Sequence, residues 1–139
     1  MILYLDTSAW LKLYVKEVET EAVQFAMGDA QIVAISRVGY AEARAALALL
    51  LREKRTTSSE HRRRVVALNV DFDSLLIVDV TDLVVRSAGK LAESHALRGF
   101  DAIHLASAAW LTKHYKPVRF LAFDDRLNLA ARATGLTIA

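Results

Sequence analysis

The chain has no cysteine, which excludes disulfide staples, thiolate nucleophiles and cysteine-ligated zinc. That usage also suits a reducing cytosol. Proline occurs once and glycine five times, too few for a flexible linker between two domains. The 139 residues therefore read as one domain spanning 1–139, within the usual ~100–200 residues. No apolar run approaches the ~20 residues of a membrane helix; the most apolar window, Ala41 to Leu51, is broken by Glu42 and Arg44. Met1 leads straight into a strand-like segment, without the basic start and long apolar stretch of a secretory leader. The expected location is the cytoplasm, with no membrane partner. Neither charge sign dominates. Eighteen Lys and Arg against sixteen Asp and Glu give a net charge of +2 and a pI near 9.0, which permits a nucleic-acid partner without arguing for one.

What is present is a large apolar fraction, 54%, cut into short pieces. Residues 2–5 form an apolar run too short for a helix and suited to a buried parallel strand. Apolar residues at helical spacing then predict a helix from Asp6 to Val15, capped by Thr7 or Ser8, and a second from about Val18 to Met27, ended by Gly28. A strand is expected over 31–35, then a long helix capped by Ser36 and running to about Lys54. Thr57 and Glu60 have capping-box spacing for a helix to about Val70. Strands at 75–78 and 119–123, helices at 81–95, 100–115 and through Ala133, and a short edge strand at 136–138 complete the reading. Strands alternating with helices imply a central, mostly parallel sheet of about four to five strands, with helices on both faces.

The chemistry lies in four carboxylates. Asp6 and Asp124 each follow a buried-looking strand and precede a helix. Open parallel sheets bind their ligands outside the carboxyl ends of the strands. Each aspartate alone is an ordinary turn or cap residue. Glu42 sits among almost wholly apolar helical neighbours, where an unpartnered carboxylate is disfavoured by several kcal/mol or stays protonated. Arg44, two residues on, points elsewhere. Asp101 opens another apolar helix, where the helix dipole is its competing explanation. Four acids without obvious local partners suggest a divalent cation. His104, one turn after Asp101, is either a hydrogen-bonded core residue or a proton shuttle. Trp10 and Trp110 read as core.

These residues resemble the PIN-domain nucleases, and within them the VapC-type toxins of toxin–antitoxin pairs. The similarity runs through LYLDTSAWLKLY, SRVGYAEARAAL, LRGFDAIHLASAAW and FLAFDDRLNLAARATGL in family order. The resemblance implies a PIN-like α/β fold and an endoribonuclease that depends on Mg²⁺ or Mn²⁺. Asp6, Glu42, Asp101 and Asp124 map onto the family's acids, as metal ligands and catalytic groups. Ser8 maps onto its small polar position, and Asp125 is a neighbouring supporting acid that competes with Asp124 for the fourth place. It further implies an RNA substrate, a homodimer and inhibition by a VapB-like antitoxin.

Two rival readings come from other classes. A phospho-accepting receiver domain would use Asp79, with Lys116 as its lysine; it lacks the acidic pair after the first strand, and Lys116 precedes a strand rather than ending one. A non-catalytic RNA-binding module would use the basic stretch from Arg52 to Arg64, through phosphate contacts. It leaves Glu42 unexplained.

Overall fold

The computed structural model describes residues 1–139. The elements run β1 (Ile2–Leu5), α1 (Thr7–Leu11), α2 (Thr20–Gly28), β2 (Ile32–Ser36), α3 (Val38–Arg52), α4 (Ser58–Ser74), β3 (Leu76–Val78), α5 (Asp82–His95), α6 (Gly99–His114), β4 (Val118–Leu121), α7 (Asp125–Ala133) and β5 (Thr137–Ile138). The five strands form one sheet in the order β3-β2-β1-β4-β5, and every pairing is parallel. The expected α/β architecture is the observed one.

β1 is central because all four of its residues are apolar and buried. The pleat sends alternate side chains to opposite faces. Ile2 and Tyr4 join a cluster with Leu105, Leu111, Phe120 and Leu127, under α6 and α7. Leu3 and Leu5 join Trp10, Val23, Ile35, Leu47 and Leu68, under α1 to α4. The chain builds from β1 outward to β3, then returns to the other side of β1 as β4. That reversal opens a crevice at the carboxyl ends of β1 and β4, where ligands bind in open α/β sheets.

Local deviations from the predicted elements have identifiable causes. The first helix ends at Leu11 rather than Val15, because the Thr20 hydroxyl takes the Lys12 carbonyl at 2.8 Å. Its cap is Asp6, which accepts from the Ala9 N–H, and not Thr7 or Ser8. Ser36 ends β2 instead of capping α3; the ladder continues through the Arg37 N–H to the Val78 carbonyl. α3 starts at Val38 with no side-chain cap. Thr57 caps α4 as its spacing predicts, accepting from the Glu60 N–H. That helix runs on to Ser74 because Phe72 packs on the rings of Trp10 and Tyr40. β4 stops at Leu121, since the Ala122 carbonyl is taken by the Asn128 amide.

One close approach sets the seat of α3. A Cβ on Gly39 would lie 2.6 Å from Ile35 Cδ1 and 3.6 Å from Thr7 Oγ1. A hydrogen at that position lets the first turn of α3 rest on β2 without displacing the Ile35 side chain. No helix is long and apolar enough to cross a membrane.

Candidate active site

Asp6 stands at the carboxyl end of β1, where its backbone N–H continues the sheet to the Leu121 carbonyl. Its side chain caps α1 through Oδ1, and the Ser8 hydroxyl donates to both oxygens at 2.8 and 2.9 Å. The cap reading of Asp6 is thus correct, yet the residue also lines a cleft of ≈ 320 Å³ with Glu42, Asp101, His104 and Ser8. Four elements supply this wall: the β1–α1 junction, α1, α3 and α6.

Glu42 departs from its sequence reading. It is not without a partner: its Oε1 accepts from the Thr7 hydroxyl at 2.7 Å and lies 2.7 Å from His104 Nε2. His104 is a hydrogen-bonded core residue, 1% exposed, with Nδ1 2.8 Å from the buried Tyr4 hydroxyl. It is also part of the cleft wall. Sequence reasoning took Thr7 only as a helix-cap candidate and missed Tyr4 altogether.

Asp101, in the first turn of α6, has the exposed guanidinium of Arg98 3.7 Å away. It forms the partition between the main cleft and an adjoining hollow of ≈ 300 Å³ that also contains Asp124, Arg98 and Arg126. Asp124 caps α7 by accepting from the Leu127 N–H. Asp125 sits exposed in the first turn of α7, and neither cavity includes it. The four acids therefore lie along one trough rather than in one knot. No three acidic or histidine side chains stand close enough to enclose an ion directly.

The electrostatics distinguish the acids. Burial raises the pKa of Asp6 above the usual carboxylate range, and the negative charge of Asp101 adds to this, against hydrogen bonds from Ala9 and Ser8 and the field of His104. Burial likewise raises Asp101, which Arg98 opposes and Asp124 and Glu42 reinforce. For Glu42 burial again pushes upward, but the His104 and Thr7 hydrogen bonds outweigh it, so the net shift is downward. Asp6 and Asp101 are the groups that an incoming cation would relieve most. The donor set is all hard oxygen, and its spread suits Mg²⁺, which keeps several waters and takes one or two carboxylates directly.

Other residues named from sequence lie elsewhere. Asp79, after edge strand β3, is paired with Arg37 and is not part of the acid cleft, which removes the geometry a receiver domain needs. In the basic stretch Arg64 pairs with Glu60 at 3.0 Å and Arg55 faces Glu53 at 3.7 Å. Arg55 lines a second groove with Lys12 that shares Ser8, Leu11 and Ala46 with the cleft.

The chain is similar to known proteins along nearly its whole length. The profile described as PIN domain matches residues 3–133. Ribonuclease VapC49 of Mycobacterium tuberculosis is 34% identical, over 99% of this chain and 94% of its own length. Ribonuclease VapC46 of the same organism is 33% identical over 98% and 95%. Among solved structures, M. tuberculosis VapC20, described as a Sarcin-Ricin loop cleaving toxin, has a TM-score of 0.68 at 19% identity, over 99% of this chain and 98% of that one. VapBC2 from Rickettsia felis, solved on a promoter DNA fragment, has a TM-score of 0.67 at 15% identity, over 100% and 98%. Matched along nearly its whole length by the profile and by these relatives, the chain belongs to the PIN domain family, in the company of the VapC ribonucleases.

Proposed function

We propose that this chain is a single-domain, divalent-metal-dependent endoribonuclease of the cytoplasm and the toxin of a toxin–antitoxin pair. In this reading it works as a homodimer and is silenced by a VapB-like antitoxin. The observation that carries the reading is the convergence of Asp6, Glu42 and Asp101, from three separate elements, on one cleft at the carboxyl ends of the central strands. Relatives named as VapC ribonucleases over the whole chain support the RNA substrate and the toxin role.

Asp6 and Asp101 are the carboxylates that would hold Mg²⁺ or Mn²⁺, directly or through water, with Asp124 closing the far side of Asp101. A divalent cation supplies charge neutralisation for the incoming phosphodiester and acidifies a water for attack on phosphorus. The protein's share is positional. Ser8 fixes the plane of the Asp6 carboxylate. Glu42, ionised and held on one oxygen, presents the other to the cleft as the group that orients the attacking water. Asp125 is a supporting acid at the rim, where its charge adds to the field of Asp124. Arg98 and Arg126, beside Asp101 and Asp124, offer charge to flanking phosphates. Hydrolysis by water leaves a 5′-phosphate and a 3′-hydroxyl, so selection of RNA over DNA falls to the binding surface.

The test is to incubate the purified protein with total cellular RNA and sequence the newly formed 5′ ends. Discrete cleavage sites with the parent and none with Asp6→Asn are expected. Equal cleavage by both would reject the site.

A further inference from the structure

Behind the cleft wall Tyr4, His104, Thr7 and Glu42 form one hydrogen-bonded chain. We propose that His104 is a positioning residue that aims Glu42 into the acid cleft, and that Tyr4 holds the imidazole in the tautomer this requires. The inference rests on the ribonuclease reading above.

An ionised carboxylate only accepts, so the 2.7 Å approach of His104 Nε2 to Glu42 Oε1 requires a proton on Nε2. In the neutral ring the lone pair then falls on Nδ1, which must find a donor because the side chain is buried. Tyr4 Oη stands 2.8 Å away. A phenol keeps its proton at neutral pH and can donate it. The tautomer is thereby assigned from both ends.

The second step is geometric. Thr7 Oγ1 donates to the same Glu42 Oε1 at 2.7 Å and lies 3.0 Å from Nε2. Two donors from different elements, converging on one oxygen, fix the carboxylate torsion. Oε2 makes no hydrogen bond within the protein and belongs to a side chain that lines the cleft. Tyr4 is two residues before Asp6, Thr7 directly follows it, and His104 is one turn after Asp101. The chain of bonds is thus anchored on the segments that carry the other two acids of the cleft. Glu42 cannot rotate relative to them without breaking it.

A histidine that merely fills the core would affect stability when replaced, and nothing else in the folded protein. A positioning role predicts more. In folded His104→Leu, kcat for RNA cleavage falls about 10–100-fold, the range typical for groups that orient catalytic ligands, while KM stays within about twofold. His104→Gln, which retains an amide N–H for Glu42, recovers most of the loss. Tyr4→Phe gives a smaller loss of kcat. Independently of activity, ¹⁵N spectra of the histidine rings in the metal-free parent show His104 as the Nε2–H tautomer, and Tyr4→Phe shows a mixture. An Nδ1–H ring in the parent overturns the inference, as does folded His104→Leu with the parental kcat. Should His104→Leu fail to fold, Tyr4→Phe decides: parental kcat and an unchanged tautomer reject the proposal. A parent that cleaves no RNA instead rejects the ribonuclease reading, and the ring spectra still report on the hydrogen bonds.

Discussion

Ser8 Oγ lies 2.8 Å from one carboxylate oxygen of Asp6 and 2.9 Å from the other, bridging both. Together with the Ala9 N–H on Oδ1, it sets the plane of a carboxylate that burial leaves short of solvation. The side chain is therefore both a helix cap and the most desolvated acid of the cleft. Those two roles separate under mutation.

Asp6→Asn keeps an oxygen for the cap and removes the charge. Cleavage of RNA is expected to fall below detection, and Asp101→Asn should behave alike. The folded state raises the pKa of Asp6, so it disfavours the ionised form, and at neutral pH the charge subtracts from stability. Metal-free Asp6→Asn should thus melt at the parental temperature or slightly above it. The difference should close as pH falls below about 4, where the unfolded carboxylate also becomes protonated. Thermal melts across pH, beside a cleavage assay, check both halves.

Chelation should silence the protein. EDTA is expected to stop cleavage, and added Mg²⁺ or Mn²⁺ to restore it. Gel assays with contaminating nuclease excluded through the Asp6→Asn preparation read the result; cleavage that persists in chelator rejects the metal role of the trough.

Away from the site, Tyr14 Oη donates to Asp71 Oδ2 at 2.6 Å. Burial, then the hydrogen bond and charge of Asp71, raise the phenol pKa. A group whose folded pKa is raised stabilises fully below its unfolded value, about 10 for tyrosine, and loses this as pH climbs through the folded one. Tyr14→Phe should cost about 1.5–3 kcal/mol at pH 7–8, as for hydrogen bonds to charged groups. The penalty should persist to pH 10 and shrink only above it. Urea melts of both proteins at pH 7.5, 9 and above 10 measure it.

Ala96 ends α5 in the left-handed region, at φ 52° and ψ 43°. An L side chain there is disfavoured by roughly 1–2 kcal/mol, and glycine is not. Ala96→Gly is expected to stabilise by about 0.5–1 kcal/mol after its greater unfolded freedom is counted. Chemical denaturation shows the gain as a higher midpoint at unchanged slope.

The strands were legible because a parallel sheet covered on both faces demands short apolar runs, and β1, β2 and β3 answer to that rule. The acids were legible for a related reason: each stood at a strand end or inside an apolar helix with no neighbour in sequence to explain it. What sequence reading missed is long-range. Glu42 looked unpartnered because His104 is 62 residues away, and Tyr4 meets His104 across 100 residues. The early end of α1 depends on Thr20 reaching back to Lys12, and the late end of α4 on the aromatic packing of Phe72. Both are tertiary decisions that override local propensity. The same distance separates the four acids into a trough shared across Asp101, where sequence order alone suggested one common shell.

Gly39 carries no functional group, yet it governs where one is delivered. Any β-carbon at that position must displace Ile35 or lift the opening turn of α3, and Glu42 rides on the next turn of the same helix. A methyl group added at Gly39 acts as a shim wherever Ile35 cannot yield, and it would then change the reach of a carboxylate it never touches. The spacing between α3 and β2 is thus set by a residue with no chemistry of its own.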